Sequence, residues 1–187
     1  MIRFSSVLLL LATACAPASP SSSEARPTAA VRAGAAVGED FKEGRVTSVR
    51  PDVVKVSFEI EVSPAQAWEV LGPVVAELGV EITETDPAAL SLSNPEFAFS
   101  RRLGDEQPSR YLRCGSGMTG QFADQYRIRM NFFTQVTSGS EGKSVVETTI
   151  QAMATNPRGT SNARVLCTST HILESRIAEG VAKRVGG

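Results

Sequence analysis

Two long runs of alternating apolar and polar residues stand close together in the second half of this chain. Every second residue of the stretches 125–136 and 143–154 is apolar or threonine, starting with Tyr126 and Val146. This period of two is that of a β-strand with one buried face. The polar residues 138–142 predict a hairpin loop between them, and matching the two apolar faces fixes the parity of the strand register. The fold must therefore bury one face of a long antiparallel hairpin.

A shorter alternating stretch and a helix start come earlier in the chain. Residues 54–62 alternate Val, Phe and Ile with Lys, Ser and Glu, which predicts a strand with one wet face. Ser63, Pro64 and Gln66 follow, with spacing typical of an N-cap, a first helical position and the third residue of a capping box. A helix is therefore predicted directly after the strand.

That helix carries one apolar stripe and one proline. Trp68, Leu71, Val75 and Leu78 recur at helical spacing, so we expect them to face the sheet, with Trp68 as a core residue. Because proline lacks the backbone donor and crowds the previous turn, Pro73 predicts a kink or a split into two short helices.

The remaining elements are predicted from local composition. Short strands are expected at 80–83, 90–93 and 110–114, and a polar loop at 157–163. A long helix beginning near Ser169 or Thr170 then ends the chain, with an apolar face of Leu173, Ile177, Val181 and Val185.

This order of elements indicates the fold class. An amphipathic terminal helix needs an apolar surface, and the antiparallel sheet supplies it. We predict an α+β domain over 46–187, in which a curved antiparallel sheet has a kinked N-terminal helix and a long C-terminal helix packed on one face.

The stretch 62–71 carries a family resemblance. Its sequence, Val-Ser-Pro-Ala-Gln-Ala-Trp-Glu-Val-Leu, resembles the first strand-to-helix junction of the START-like (SRPBCC) superfamily, whose helix-grip domains keep a cavity under the terminal helix. Residues 64–80, Asp86 and 90–92 also look like the helix and following hairpin of the BamC domains of outer-membrane assembly lipoproteins. The first resemblance implies a carrier of hydrophobic small molecules or lipids, and the second implies an assembly module.

The N-terminus resembles the lipobox of bacterial lipoproteins. Arg3 precedes the apolar residues 7–11, and small residues 12–14 precede Cys15, as in a signal peptide that is too short to span a bilayer. Leu11 stands one position away from the usual lipobox leucine. The resemblance implies a signal peptide at 1–14, cleavage before Cys15, a diacylglycerol on its sulfur and an acyl chain on its amino group.

The residues after Cys15 predict a tether. Residues 15–45 contain few large apolar side chains, so burial cannot offset the entropy of ordering them. Because Ala16 stands where the family's inner-membrane retention signal has Asp, the resemblance implies the outer membrane in a cell with two membranes. The domain would then face the periplasm or the exterior.

Cysteine usage fits an exported chain. With Cys15 lipidated, the remaining two of the three cysteines, Cys114 and Cys167, form an even pair, which predicts a disulfide in an oxidising compartment. Two buried free thiols are the alternative.

Two features of the sequence could belong to a catalytic or cofactor-binding site, but each is explained by a structural role. Residues 115–120 match a dinucleotide-binding glycine pattern, but an alternating strand follows instead of a phosphate-capping helix, so we expect a turn. His171, the single histidine, is expected to have a structural role at a helix start. No metal-ligand spacing occurs in the sequence, and with 19 basic and 20 acidic residues the dispersed charges give no nucleic-acid stripe. We predict no cofactor and no enzymatic activity.

One local excess of positive charge is a candidate partner surface. An anionic lipid, glycan or protein could dock on it; the alternative is a solvated face whose charges pair with acids such as Glu147. Its members are Arg101, Arg102, Arg110, Arg113, Arg127 and Arg129, of which the last two should project from one sheet face.

Together these features predict a membrane-anchored lipoprotein whose domain is a non-catalytic binding or envelope-assembly module with a possible envelope protein partner. The alternative is a START-like carrier of a hydrophobic small molecule or lipid. An interior filled by side chains favours the binding module, whereas an apolar void of several hundred Å³ favours the carrier.

Replacing Cys15 with serine is expected to release the chain from the membrane fraction, because the anchor that two or more acyl chains provide is then lost. Fractionation of cells that express the Cys15→Ser chain measures this. Unchanged membrane retention would contradict the predicted anchor.

Overall fold

A computed structural model describes residues 45–50, 53–158 and 164–187. The predicted signal peptide, Cys15 and nearly all of the predicted tether lie outside the described residues. The rest is an α+β arrangement with a mostly antiparallel sheet and a long C-terminal helix. Its strands are β1 (Arg45–Arg50), β2 (Val53–Ile60), β3 (Glu84–Asp86), β4 (Ser91–Ser100), β5 (Leu112–Arg113), β6 (Ser116–Gly117), β7 (Gly120–Gln121), β8 (Arg127–Ser138), β9 (Ser144–Thr155) and β10 (Arg164–Ser169), and its helices are α1 (Pro64–Glu77), α2 (Phe122–Gln125) and α3 (Ile172–Gly186).

The predicted hairpin is confirmed and forms the middle of the sheet. β8 and β9 pair antiparallel and in register from Arg127 opposite Thr155 to Ser138 opposite Ser144. The main sheet has the order β1-β2-β9-β8-β4-β3, and β10 extends it by pairing with the last residues of β9 and with β5. Because β9 bonds to β8 along one edge and to β2 and then β10 along the other, it is the central strand.

The helix start is also confirmed. The Ser63 side chain accepts a hydrogen bond from the Gln66 backbone amide, and the Gln66 side chain accepts one from the Ser63 amide. α1 then runs without a split through Pro73. Pro73 and Glu69, whose carbonyl loses its helical donor, are both exposed, so water can replace the missing hydrogen bond.

The buried stripe of α1 is displaced from the predicted one. Trp68 is only partly buried and packs against the margin of the core. The fully buried positions are Ala67, Leu71, Val74 and Val75, which recur at i, i+4, i+7 and i+8. Trp68 has the largest side chain of the predicted stripe, but the face of α1 that lies on the sheet begins one residue earlier, with Ala67.

Several predicted boundaries were wrong. Residues 80–83 lie outside any strand and the strand β3 follows them, while the strand predicted at 90–93 is the start of the longer β4. β4 continues across an irregularity in its pairing with β8 at Pro95 and Glu96, a bulge of the kind that accommodates proline in a sheet. Of the strand predicted at 110–114, only Leu112–Arg113 is a strand, and Arg110 belongs to a 3₁₀ turn, Pro108–Arg110.

The terminal helix starts later than predicted because a strand precedes it. Ser169 belongs to β10, and the Thr170 amide donates to the Tyr111 carbonyl, so α3 begins only at Ile172. Neither β10 nor β1 was predicted. The face of α3 matches the prediction, since Leu173, Ile177 and Val181 are buried.

α1 and α3 pack against each other and on one face of the sheet. Gly180 of α3 lies so close to α1 that an added Cβ would be 2.7 Å from Cγ1 of Val74. The interior beneath them contains Phe58, Phe132 and Leu173, all buried. We call this covered side of the sheet the inner face and the opposite side the outer face.

Replacing Gly180 with alanine is expected to destabilise the domain, because the new methyl group overlaps Val74. Overpacking costs about 1 to 3 kcal/mol, against roughly 1 kcal/mol gained from helix propensity. In a Val74→Ala background the methyl group has room, so the same substitution should stabilise the domain.

Urea unfolding of these variants measures both effects. Gly186→Ala is the control, because no atom lies within 4 Å of the position of its Cβ. Equal losses from Gly180→Ala in both backgrounds would contradict a close contact between the helices.

Candidate functional site

Arginines project from the outer face of β8, as the sequence predicts. Arg127 and Arg129 are exposed, while the residues between and beyond them, Ile128 and Met130, are buried on the inner face. Strict alternation in β8 therefore gives the outer face its charge and the inner face its apolar core.

Neighbouring strands bring two more arginines to the same face. Arg164 of β10 and Arg127 of β8 both lie opposite Thr155 of β9. Arg113 of β5 lies opposite Thr168, which shares the outer face of β10 with Arg164. No described carboxylate forms an ion pair with any of these four side chains. We call them the arginine face: Arg113, Arg127, Arg129 and Arg164.

Apolar side chains lie at the centre of the arginine face. Arg129 and Leu166 both pair with Met153, which puts the three residues in one line across three strands. Met153 is 38% exposed and Leu166 is 61% exposed. They border a shallow depression of about 390 Å³ that Pro95 and Glu96 close on the β4 side. The surface thus combines guanidinium groups that have no ion-pair partner among the described residues with solvent-exposed apolar area.

Three of the six predicted arginines, Arg101, Arg102 and Arg110, do not join this face. Arg110 pairs with Glu106, Nη1 to Oε1 at 3.1 Å, and Arg102 donates to the Asp105 carbonyl at 2.6 Å. Arg164 was missed because Val165, Leu166 and Cys167 after it are all apolar and give no alternation with polar residues. A short apolar run of this kind does not show by periodicity alone that it is a strand.

Glu147, the acid suggested as a partner for these arginines, is paired elsewhere. It accepts a hydrogen bond from Lys55 Nζ at 2.6 Å and others from Gln135 and Ser57. Burial raises the pKa of Glu147, but these hydrogen bonds and the charge of Lys55 outweigh it and lower the pKa below its usual range. Its charge is therefore compensated by Lys55.

A cleft adjoins the arginine face at the end of the sheet where β8 starts and β9 stops. It measures about 830 Å³. Arg101 and Arg158 contribute positive charge, and neither forms an ion pair with a described residue. Its further lining includes Gln107, Thr119, Phe122, Asp124, Gln125, Tyr126 and Asn156.

The glycine-rich stretch 115–120 contributes Thr119 to the lining of this cleft. It folds as the hairpin of β6 and β7, which lies against the Phe122 ring. A Cβ on Gly117 would lie 2.8 Å from that ring, and the Tyr126 ring stacks on Phe122 at 4.8 Å between centroids. Glycine is required here for close packing, and the stretch forms the expected turn. The four-residue helix α2, and not the predicted strand, follows it directly, so the expectation was wrong on that point.

The disulfide prediction is confirmed, with Cys114 and Cys167 joined at 2.03 Å. Cys167 lies in β10 and not in a loop, so the bond ties this strand to the segment after β5. His171 is the N-cap of α3 and its Nδ1 lies 3.8 Å from Oε1 of the buried Glu174. The helix N-terminus favours a carboxylate at this position.

Replacing Glu147 with glutamine should remove a pH-dependent stabilisation. Because the folded-state pKa lies below the ordinary value of about 4.5 for a glutamate, the stabilisation is present above that pH and is lost as the pH falls through the folded pKa. Partial exposure to solvent limits it to about 1 kcal/mol. Urea unfolding from pH 7 to pH 3 measures this, with exposed Glu69→Gln as control. A pH-independent difference between wild type and Glu147→Gln would contradict the assignment.

The described residues hold no group of three or more potential metal-ligating side chains, and none of their helices is long and apolar enough to cross a membrane. No protein-family model matches the chain, and no curated protein is significantly similar to it in sequence.

Proposed function

We propose that this chain is a cell-envelope lipoprotein, anchored through Cys15, whose domain is a non-catalytic binding or assembly module. The arginine face would contact an anionic envelope partner. One observation carries the proposal: four guanidinium groups without described ion-pair partners surround the exposed side chains of Met153 and Leu166.

Such a surface suits a partner with carboxylate or phosphate groups. Arginine binds these groups through parallel hydrogen bonds, and it is enriched in protein interfaces, where exposed apolar side chains supply burial energy. Complementary charge also speeds association. A protein partner with acidic side chains around an apolar patch fits this chemistry.

The packing of both helices on the inner face supports the finer assignment to a helix-grip fold. If the chain were a START-like carrier, as one resemblance implies, this architecture would hold a ligand beneath the terminal helix. However, Phe132, Leu173 and Ile177 have no accessible surface, whereas side chains that line a void larger than water would retain some. This packing favours the binding module over the carrier.

The structural roles of the cysteines and of the glycine-rich stretch support a non-catalytic role for the domain. Cys114 and Cys167 are bonded to each other, so neither thiol is free as a nucleophile. Gly115 and Gly117 pack against Phe122 and supply no phosphate loop. Each of these motifs has a structural explanation.

The predicted tether fits a module that works at some distance from lipid. Thirty coil-like residues have an end-to-end distance of about 30 Å and can extend to about 100 Å. Because Ala16 stands where the inner-membrane retention signal of lipoproteins has Asp, the lipobox resemblance implies an anchor in the outer membrane of a cell that has one.

A photo-crosslinking residue at position 166 tests the proposed partner surface in intact cells. We expect one or a few defined adducts, because Leu166 lies inside the arginine face. The same residue at position 137, on the outer face near the other end of β8, is the control. Arg127→Gln together with Arg129→Gln should reduce adduct formation at least tenfold, as expected for the loss of two charge-assisted contacts.

The paired variants Arg102→Gln and Arg110→Gln should leave the adducts unchanged, since both side chains are engaged locally. Adducts that form equally at positions 166 and 137, or that persist without Arg127 and Arg129, would contradict the proposed surface. Lipid that co-purifies in equal molar amount with the domain would favour the carrier.

A further inference from the structure

The most exposed large apolar side chain in the described part of the chain stands at the tip of the β6–β7 hairpin. Gly117 pairs with Gly120, which leaves Met118 and Thr119 as the turn. The accessible surface of Met118 is 108% of its reference value, so the whole side chain is in solvent. We propose that Met118 inserts into the headgroup region of an anionic membrane surface and orients the domain there.

The hairpin is held firmly enough to act as an insertion point. Thr119 donates through Oγ1 to the Gln125 side chain, whose amide donates back to the Thr119 carbonyl, both at 2.8 Å. The Phe122 amide bonds to the Gly115 carbonyl at 3.0 Å. These contacts fix the hairpin to α2, so Met118 projects from a supported base and its insertion orders little additional chain.

Charge on the adjoining cleft favours an anionic surface. Arg101 and Arg158 line the same cleft as Thr119, and both are exposed without an ion pair to a described residue. Among the described residues of that lining, Asp124 is the only carboxylate, and it accepts a hydrogen bond from the Ser109 amide. Exposed cations beside a protruding apolar side chain are suited to anionic headgroups and the adjacent acyl chains.

The shape of this end of the domain favours lipid over a protein partner. A stable protein interface buries roughly 800 Å² on each side, with several apolar anchors. The hairpin offers a single methionine, and the neighbouring Thr119, Gly120 and Gln121 are polar or small and exposed. One side chain that projects alone can enter a fluid interface without a matching pocket.

The β6–β7 hairpin is a surface different from the arginine face. Its insertion would orient the domain relative to the membrane to which the proposed Cys15 anchor attaches it. With Met118 in the headgroup region, the end of the sheet that carries Arg127 and Arg164 lies close to the membrane. The loop between β8 and β9, with exposed Glu141 at its tip, lies at the opposite end. A partner on the arginine face would then be contacted close to the membrane surface.

An environment-sensitive fluorophore on a Met118→Cys variant of the full lipidated chain tests the insertion. Cys15 is expected to be thioether-linked and Cys114 and Cys167 are bonded, so the label should enter position 118 alone. Labelling at Cys15 would separately report failure of the proposed anchoring. The chain is placed in vesicles of phosphatidylcholine with or without phosphatidylglycerol, some carrying bromine on the acyl chains.

At position 118 we expect a blue-shifted emission that acyl-chain bromine quenches, with a larger effect in phosphatidylglycerol vesicles. Arg101→Gln with Arg158→Gln should reduce that difference between vesicles. A Glu141→Cys variant, labelled at the opposite end of the sheet, should keep a water-like emission. A water-like emission at position 118 on anionic vesicles, equal quenching at both positions, or a shift that requires an added membrane protein would each overturn the proposal.

Discussion

The in-register pairing of β8 with β9 determines which side chains this domain buries and which it presents. The pairing sets Ile128 and Met130 against the helices and leaves Arg127 and Arg129 in solvent. A shift of one residue would move the arginines into the core and the apolar residues to the outer face. The fold and the proposed binding surface therefore depend on the same register.

The inner face secures this arrangement by close packing. α1 and α3 approach each other at Gly180 and Val74 and cover the buried side chains of the central strands. The disulfide adds a covalent link between β10 and the segment after β5. Both strands carry members of the arginine face, Arg164 and Arg113, so the bond also holds that surface together at its edge.

The sequence predicts the parts of this fold that depend on local periodicity or on one turn of chain. The hairpin, the capping box and the buried face of α3 follow from alternation, from three residues and from helical spacing. Errors occur where tertiary contacts decide: Trp68 has the size of a core residue, but the sheet accepts the face that contains Ala67. β10 was missed because Val165, Leu166 and Cys167 do not alternate with polar residues and because one of its partners, β5, is distant in sequence.

For the arginine face too, local patterns in the sequence predict some of the residues and tertiary contacts decide the others. Alternation places Arg127 and Arg129 together, whereas Arg164 joins them through the pairing of β10 with β9 and Arg113 through the long-range pairing of β5 with β10. The four-residue spacing of Glu106 and Arg110 could have indicated their ion pair, whereas the bond from Arg102 to the Asp105 carbonyl depends on the path of the loop backbone. The exposed position of Met118 likewise depends on the packing of Phe122 beneath the hairpin.

Arginine footprinting tests the central claim, that the arginine face is the surface on which a partner binds. A dicarbonyl reagent is applied to intact envelopes and to the purified chain, and modification is read by mass spectrometry. The account predicts that Arg113, Arg127, Arg129 and Arg164 are protected in envelopes relative to the purified chain, while the reactivity of Arg102 and Arg110 is the same in both. Equal reactivity of the arginine face in the two samples would contradict it.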